Sequence, residues 1–123
     1  MATEKTILLA EDEEMLHLVA KKIIESMKEY DEILANNKSV VVDFYADWCG
    51  PCKMIGPVLQ EVSNEVTDVT FVKVNVDELG EIAQRYGVMS IPTLIAFKDG
   101  KKVNQAVGFV PKPNIMKLVE TVK

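Results

Sequence analysis

The feature that most limits what this chain can become is an apolar run, Val40-Val41-Val42-Asp43-Phe44-Tyr45-Ala46, leading directly into Trp48-Cys49-Gly50-Pro51-Cys52. A short β-branched and aromatic run bounded by polar residues reads as a fully buried central strand. Beyond the cysteines, apolar residues recur at Ile55, Val58, Leu59, Val62 and Val66, which is helical spacing. The two cysteines therefore sit where a buried strand hands over to the first turn of a helix.

That placement sets their chemistry. The first turn of a helix presents backbone N–H groups without intrahelical partners and the positive end of the helix dipole. A thiolate is an anion, so Cys49 at the helix start should ionise below the free thiol value of ~8.5. Cys52 lies three residues on, one turn deeper, within reach of a disulfide. Gly50 and Pro51 add no bulk over the sulfurs, and proline suits a first turn. The expectation is one exposed, acidic sulfur that attacks and one shielded sulfur that resolves. Two other readings are weaker. A zinc site needs four ligands, and the chain offers two cysteines and the distant His17, leaving only a half-site completed by a second copy. A purely structural disulfide would close too small a loop to stabilise much.

With VVVDFYAD before WCGPC, then Lys53, the mid-helix Pro57, and later Ser90-Ile91-Pro92-Thr93 ahead of an apolar strand, the chain from about Lys21 to Lys123 resembles the thioredoxin family. The resemblance implies an α/β fold of thioredoxin type, a central mixed β-sheet flanked by helices on both faces. It also implies protein-disulfide reduction through Cys49 and Cys52, with re-reduction by an NADPH-dependent thioredoxin reductase. No cofactor beyond the redox-active disulfide, and no metal, is implied.

The resemblance extends to single residues. Asp43, a carboxylate inside an apolar strand, is costly unless it is partnered; it falls where the family keeps a buried aspartate that relays protons to the second cysteine. The alternative is a carboxylate turned to solvent. Lys73 matches the lysine that approaches that aspartate, against a simple solvated strand lysine. Pro92 matches the cis-proline beside the dithiol, whose bond would leave the Ile91 backbone free to pair with an extended substrate. Docking should use the apolar rim of Trp48, Gly50, Pro51, Val76, Ile91, Val107 and Gly108, although Trp48 could also be a packing aromatic. Tyr45 stands where many members carry tryptophan, a change expected to affect fluorescence more than mechanism. Phe109 and the proline-rich Val110-Pro111-Lys112-Pro113 depart from the pattern beside the docking loop, which puts partner preference in doubt. A rival reading from another class is a partner-binding module that uses this surface with incidental redox activity.

Elsewhere the pattern is that of a doubly covered sheet. Residues 12–34 fit one long amphipathic helix, but Ser26 followed by Glu29 is a capping box that marks a fresh start. The resemblance favours a strand at 22–25 and a helix from Met27. Thr70 to Asp77 alternates as a strand. Leu79, Ile82, Ala83 and Tyr86 have helical spacing, stopped by Gly87. Asp99-Gly100 joins two strands in a hairpin, 93–97 and 102–108. Ile115, Leu118, Val119 and Val122 form a last helix after Pro111 and Pro113.

Residues 1–20 stand apart as an N-terminal extension before the 21–123 domain. Thr6 to Ala10 followed by Glu11 and Asp12 resembles the opening of a response-regulator receiver, in which that acidic pair would help hold magnesium. The phospho-accepting aspartate such a domain needs has no place to follow. An ordered extra element and an added tail are the plainer readings. With 123 residues, 48% hydrophobic and 27% charged, the chain has room for one soluble domain. Its net charge of −5 argues against nucleic acid and anionic membranes. No apolar stretch approaches the ~20 residues of a membrane span, and the acidic start is unlike a signal peptide. Two cysteines, both in the motif, point to the cytoplasm. A monomer working with disulfide-containing protein substrates is expected.

Overall fold

The computed structural model of the chain describes residues 21–123, and for Lys21 and Lys22 only the backbone path. The receiver-like reading of Glu11 and Asp12, and the extension as a whole, lie outside the described residues. Within them, strands β1 (Lys21–Ile23), β2 (Ser39–Tyr45), β3 (Thr70–Asn75), β4 (Thr93–Lys98) and β5 (Lys101–Val107) form one sheet in the order β1-β3-β2-β4-β5. Helices α1 (Met27–Asn36), α2 (Gly50–Glu65), α3 (Gly80–Arg85) and α4 (Lys112–Glu120) cover it. β1, β3 and β2 run parallel; β4 is antiparallel to β2, and β5 to β4.

The apolar run becomes the middle strand because both of its faces are covered. Val41 points into a core with Ile55, Leu59 and Val62 of α2 and Ile115, Leu118 and Val119 of α4. Val40, Val42 and Phe44 point the other way, against Tyr30 and Leu34 of α1 and Ile82 and Ala83 of α3. By the same alternation Asp43 and Tyr45 share the α2 side with Val41. Each fully buried Val, Leu, Ile or Phe contributes about 1.5–3 kcal/mol, so the double cover is the main stabilising element.

The capping box resolves the ambiguity before β2. The Ser26 hydroxyl accepts from the Glu29 N–H at 3.1 Å, and the Glu29 carboxylate accepts from the Glu25 N–H at 2.8 Å, so α1 begins afresh after β1. In the hairpin, Asp99 and Gly100 both take positive φ, 52° and 79°, as a two-residue turn of the primed kind requires. The last helix begins one turn earlier than its apolar spacing indicates: Pro111 is the cap and Pro113 sits inside the first turn, where its missing N–H costs nothing. Lys112 there bridges to Glu65 at 2.6 Å and Glu61 at 3.0 Å, tying α4 to the end of α2.

The second core carries a pH liability. Burial, more than any neighbour, pushes the Tyr30 phenol far above its usual range. Unfolded tyrosine ionises near ~10. The unfolded chain therefore gives up a proton above that pH while the folded chain holds it, and stability is full below ~10 and falls as pH rises. Tyr30→Phe should move the midpoint of alkaline unfolding upward while leaving neutral stability nearly unchanged. A midpoint that does not move would show that another group governs alkaline unfolding.

Candidate active site

β2 ends at Tyr45, and a three-residue link, Ala46-Asp47-Trp48, brings Cys49 to the N-cap position of α2. Its sulfur accepts the N–H of Cys52 at 3.2 Å, taking up one of the donors that a helix start leaves over. Pro51 occupies the first turn, whose geometry its fixed φ suits. The two cysteines are joined as a disulfide with Cα atoms 5.3 Å apart. In this oxidised state the expected difference in exposure is absent: Cys49 is 4% exposed and Cys52 6%. The asymmetry lies in the surroundings. Cys49 Sγ receives the helix N–H and lies 3.8 Å from the Ile91 carbonyl oxygen, whereas Cys52 borders a hollow on the α2 side of the sheet.

That hollow, about 410 Å³, is lined by Tyr45, Asp47, Cys52, Lys53, Gly56 and Lys73. Asp43 is 3% exposed, so a solvent-facing carboxylate is ruled out. Its register partner on β3 is Lys73. The Lys73 ammonium lies over the Tyr45 ring, 4.4 Å from its centroid. Burial, and after it the charge of Asp47, raises the Tyr45 phenol above its ordinary value.

The Ile91–Pro92 peptide is cis. Pro92 is buried, and its carbonyl accepts the N–H of Gly108 at 2.7 Å, which fixes the 107–108 loop beside it. Gly108 has φ +84°, a conformation that favours glycine. Trp48 is 70% exposed, which removes the packing-aromatic alternative. Gly50, Pro51 and Val107 are also exposed, and Val76 and Ile91 half-buried. A Cβ built on Gly50 would meet nothing within 4 Å. The fold has room for a side chain at that position.

Asp77 belongs to the site and is missed from sequence. The Asn75 side chain accepts the N–H of Asp77 at 2.9 Å, turning the chain after β3, and Asp77 then accepts the Trp48 indole N–H at 2.8 Å. An Asn two residues before an Asp at a strand end is a turn signal; the alternating pattern of β3 hid it. Among the described residues no group of three or more His, Cys, Asp or Glu is placed to hold a metal ion. None of their helices is long and apolar enough to cross a membrane.

A disulfide of spacing three at a helix N-terminus, beside a cis-proline and an exposed apolar rim, defines a thiol–disulfide oxidoreductase. The thioredoxin family model matches residues 21–121. The chain is 50% identical over 99 residues to the thioredoxin of Mycoplasmoides gallisepticum, covering 80% of this chain and 99% of that one. It is 56% identical over 81 residues to the thioredoxin of Bacillus subtilis, covering 65% and 78%. Among solved structures, a mutant thioredoxin from Halobacterium salinarum superposes with a TM-score of 0.79 at 34% identity, covering 85% and 94%. The thioredoxin of Plasmodium falciparum does so with 0.78 at 38%, covering 83% and 99%. The chain belongs to the thioredoxin family, and its activity is thioredoxin-type reduction of disulfides through the Cys49–Cys52 pair.

Proposed function

We propose the following division of labour. The Cys49 thiolate attacks one sulfur of a substrate protein's disulfide, forming a mixed disulfide and expelling the first substrate thiolate. Cys52 then gives up its proton and attacks Cys49 Sγ. The Cys49–Cys52 disulfide forms, the second substrate thiolate leaves, and two electrons and two protons have passed to the substrate. Asp43, buried in β2, takes the Cys52 proton, and the positive charge of Lys73 favours the ionised states of both groups. Pro92 and Ile91 offer backbone to an extended substrate segment. Trp48, Gly50, Pro51, Val76, Val107 and Gly108 form the rim on which it lies.

An NADPH-dependent flavoprotein reductase returns the pair to the dithiol. A dithiol that must be kept reduced suits the cytoplasm. The acidic chain works on proteins, with no nucleic acid or membrane, and as a monomer, because each group the mechanism uses lies on one chain.

The observation that carries this reading is the Cys52 N–H donated to Cys49 Sγ at the start of α2, because that donor favours a thiolate at Cys49 and not at Cys52. Ultraviolet titration of the reduced full-length protein tests it. Cys49 should ionise at lower pH than a peptide thiol, and insulin disulfides should be reduced with the same pH midpoint. A Cys49 that ionises no earlier than a free thiol would falsify the assignment of attacker.

A further inference from the structure

We infer that Tyr45 is a positioning residue for the resolving half of the reaction: its ring holds the Lys73 ammonium at the hollow beside Cys52. The inference rests on the reading that Lys73 assists Asp43 and Cys52, and it gives a mechanistic part to a residue whose departure from the family tryptophan was expected to affect fluorescence more than mechanism.

The sheet register makes the case. Lys73 is the partner of Asp43, and Tyr45, two residues further along β2, is the partner of Asn75. An ammonium seated over the Tyr45 ring has therefore reached forward along the ladder, toward the end of the sheet that carries the dithiol. Tyr45, Lys73 and Cys52 line one hollow. A lysine side chain is long and flexible, and the mouth of the hollow is open water, so some contact must hold the charge in place. The ring face does so by cation–π attraction. Burial keeps the phenol protonated, so the ring stays neutral and the attraction persists across the working pH range. The charged and titratable groups facing Lys73 are Asp43 and Tyr45 from β2, Asp47 from the link, and Cys52 and Lys53 from α2; β1 offers the apolar Ile23 at its register position. Among them the ring holds the ammonium on the Cys52 side without neutralising it, as a carboxylate partner would.

The test uses the reduced full chain and the pH profile of protein-disulfide turnover. Y45L should slow turnover roughly 3–10-fold at neutral pH, move the profile midpoint upward, and recover at alkaline pH, where Cys52 ionises unaided. Y45F and Y45W, which keep a ring face, should restore the midpoint. Y45L should add nothing in a K73M background. A Y45L loss that is equal at all pH values, or additive with K73M, would reduce Tyr45 to a packing residue. A K73M midpoint shift with none in Y45L overturns the Tyr45 inference alone, whereas an unmoved K73M profile overturns the reading of Lys73 with it. Should Y45L fail to fold, the Lys73 ε-methylene resonances of the unmodified protein decide: upfield ring-current shifts support the contact, and random-coil positions refute it.

Discussion

Cys52→Ser will turn the protein from a reductase into a trap. Cys49 keeps its place at the N-cap and still receives the N–H of residue 52, because that donor is backbone. It therefore attacks a substrate disulfide as before. Serine cannot attack the resulting mixed disulfide, so the covalent complex persists and multiple turnover falls to the buffer rate. Mass spectrometry should find the protein linked through Cys49 to one substrate chain, in an amount equal to the protein added. Cys49→Ser should form no such adduct. The reverse result, with the adduct on Cys52 of the Cys49→Ser protein, would exchange the two roles. If both variants still matched the parent in partner capture without covalent linkage, the binding-module reading would gain ground.

Phe44→Ala will bring the fold close to collapse. Phe44 is fully buried at the centre of the sheet, packed among Tyr30, Ile82 and Phe97 in the core on the α1 side, with the Tyr86 ring centroid 6.3 Å from its own. Removing a ring there should cost about 3–5 kcal/mol, against a total for such a domain of ~5–15 kcal/mol. Thermal unfolding should move down by on the order of 15–25 °C. Val103→Ala on the exposed β5 should stay within about 0.5 kcal/mol. Similar losses for the two would mean that β2 is not the organising strand.

Much of this architecture was legible before the structure. Val40 to Ala46 reads as a strand covered on both faces, and the structure has that strand at Ser39–Tyr45. The Ser26 and Glu29 pair told a fresh helix from a continuing one because its two hydrogen bonds are local. Asp99-Gly100 was readable for the same reason, since its backbone demand falls on two adjacent residues. Other features needed the pairing of distant segments. Asp43 in isolation is compatible with core or solvent, and the parity that turns it beneath α2 comes from which cores its neighbours join. Lys73 meets Tyr45 only through the register of β2 on β3, which no local pattern encodes. Asp77 reaches Trp48 because Asn75 turns the chain between them. The burial of Cys49 escaped sequence reasoning because the residues packed around the sulfurs, Ala46, Val76 and Ile91, come from three separate segments.

The parallel pairing of β1 with β3, and of β3 with β2, also decides where the described sheet begins relative to the dithiol. These strands all point toward the dithiol, so Lys21 enters the sheet at the far edge. A seven-residue strand such as β2 spans about 20 Å. The described sheet thus begins at the heel of the domain, a strand's length from the working tip.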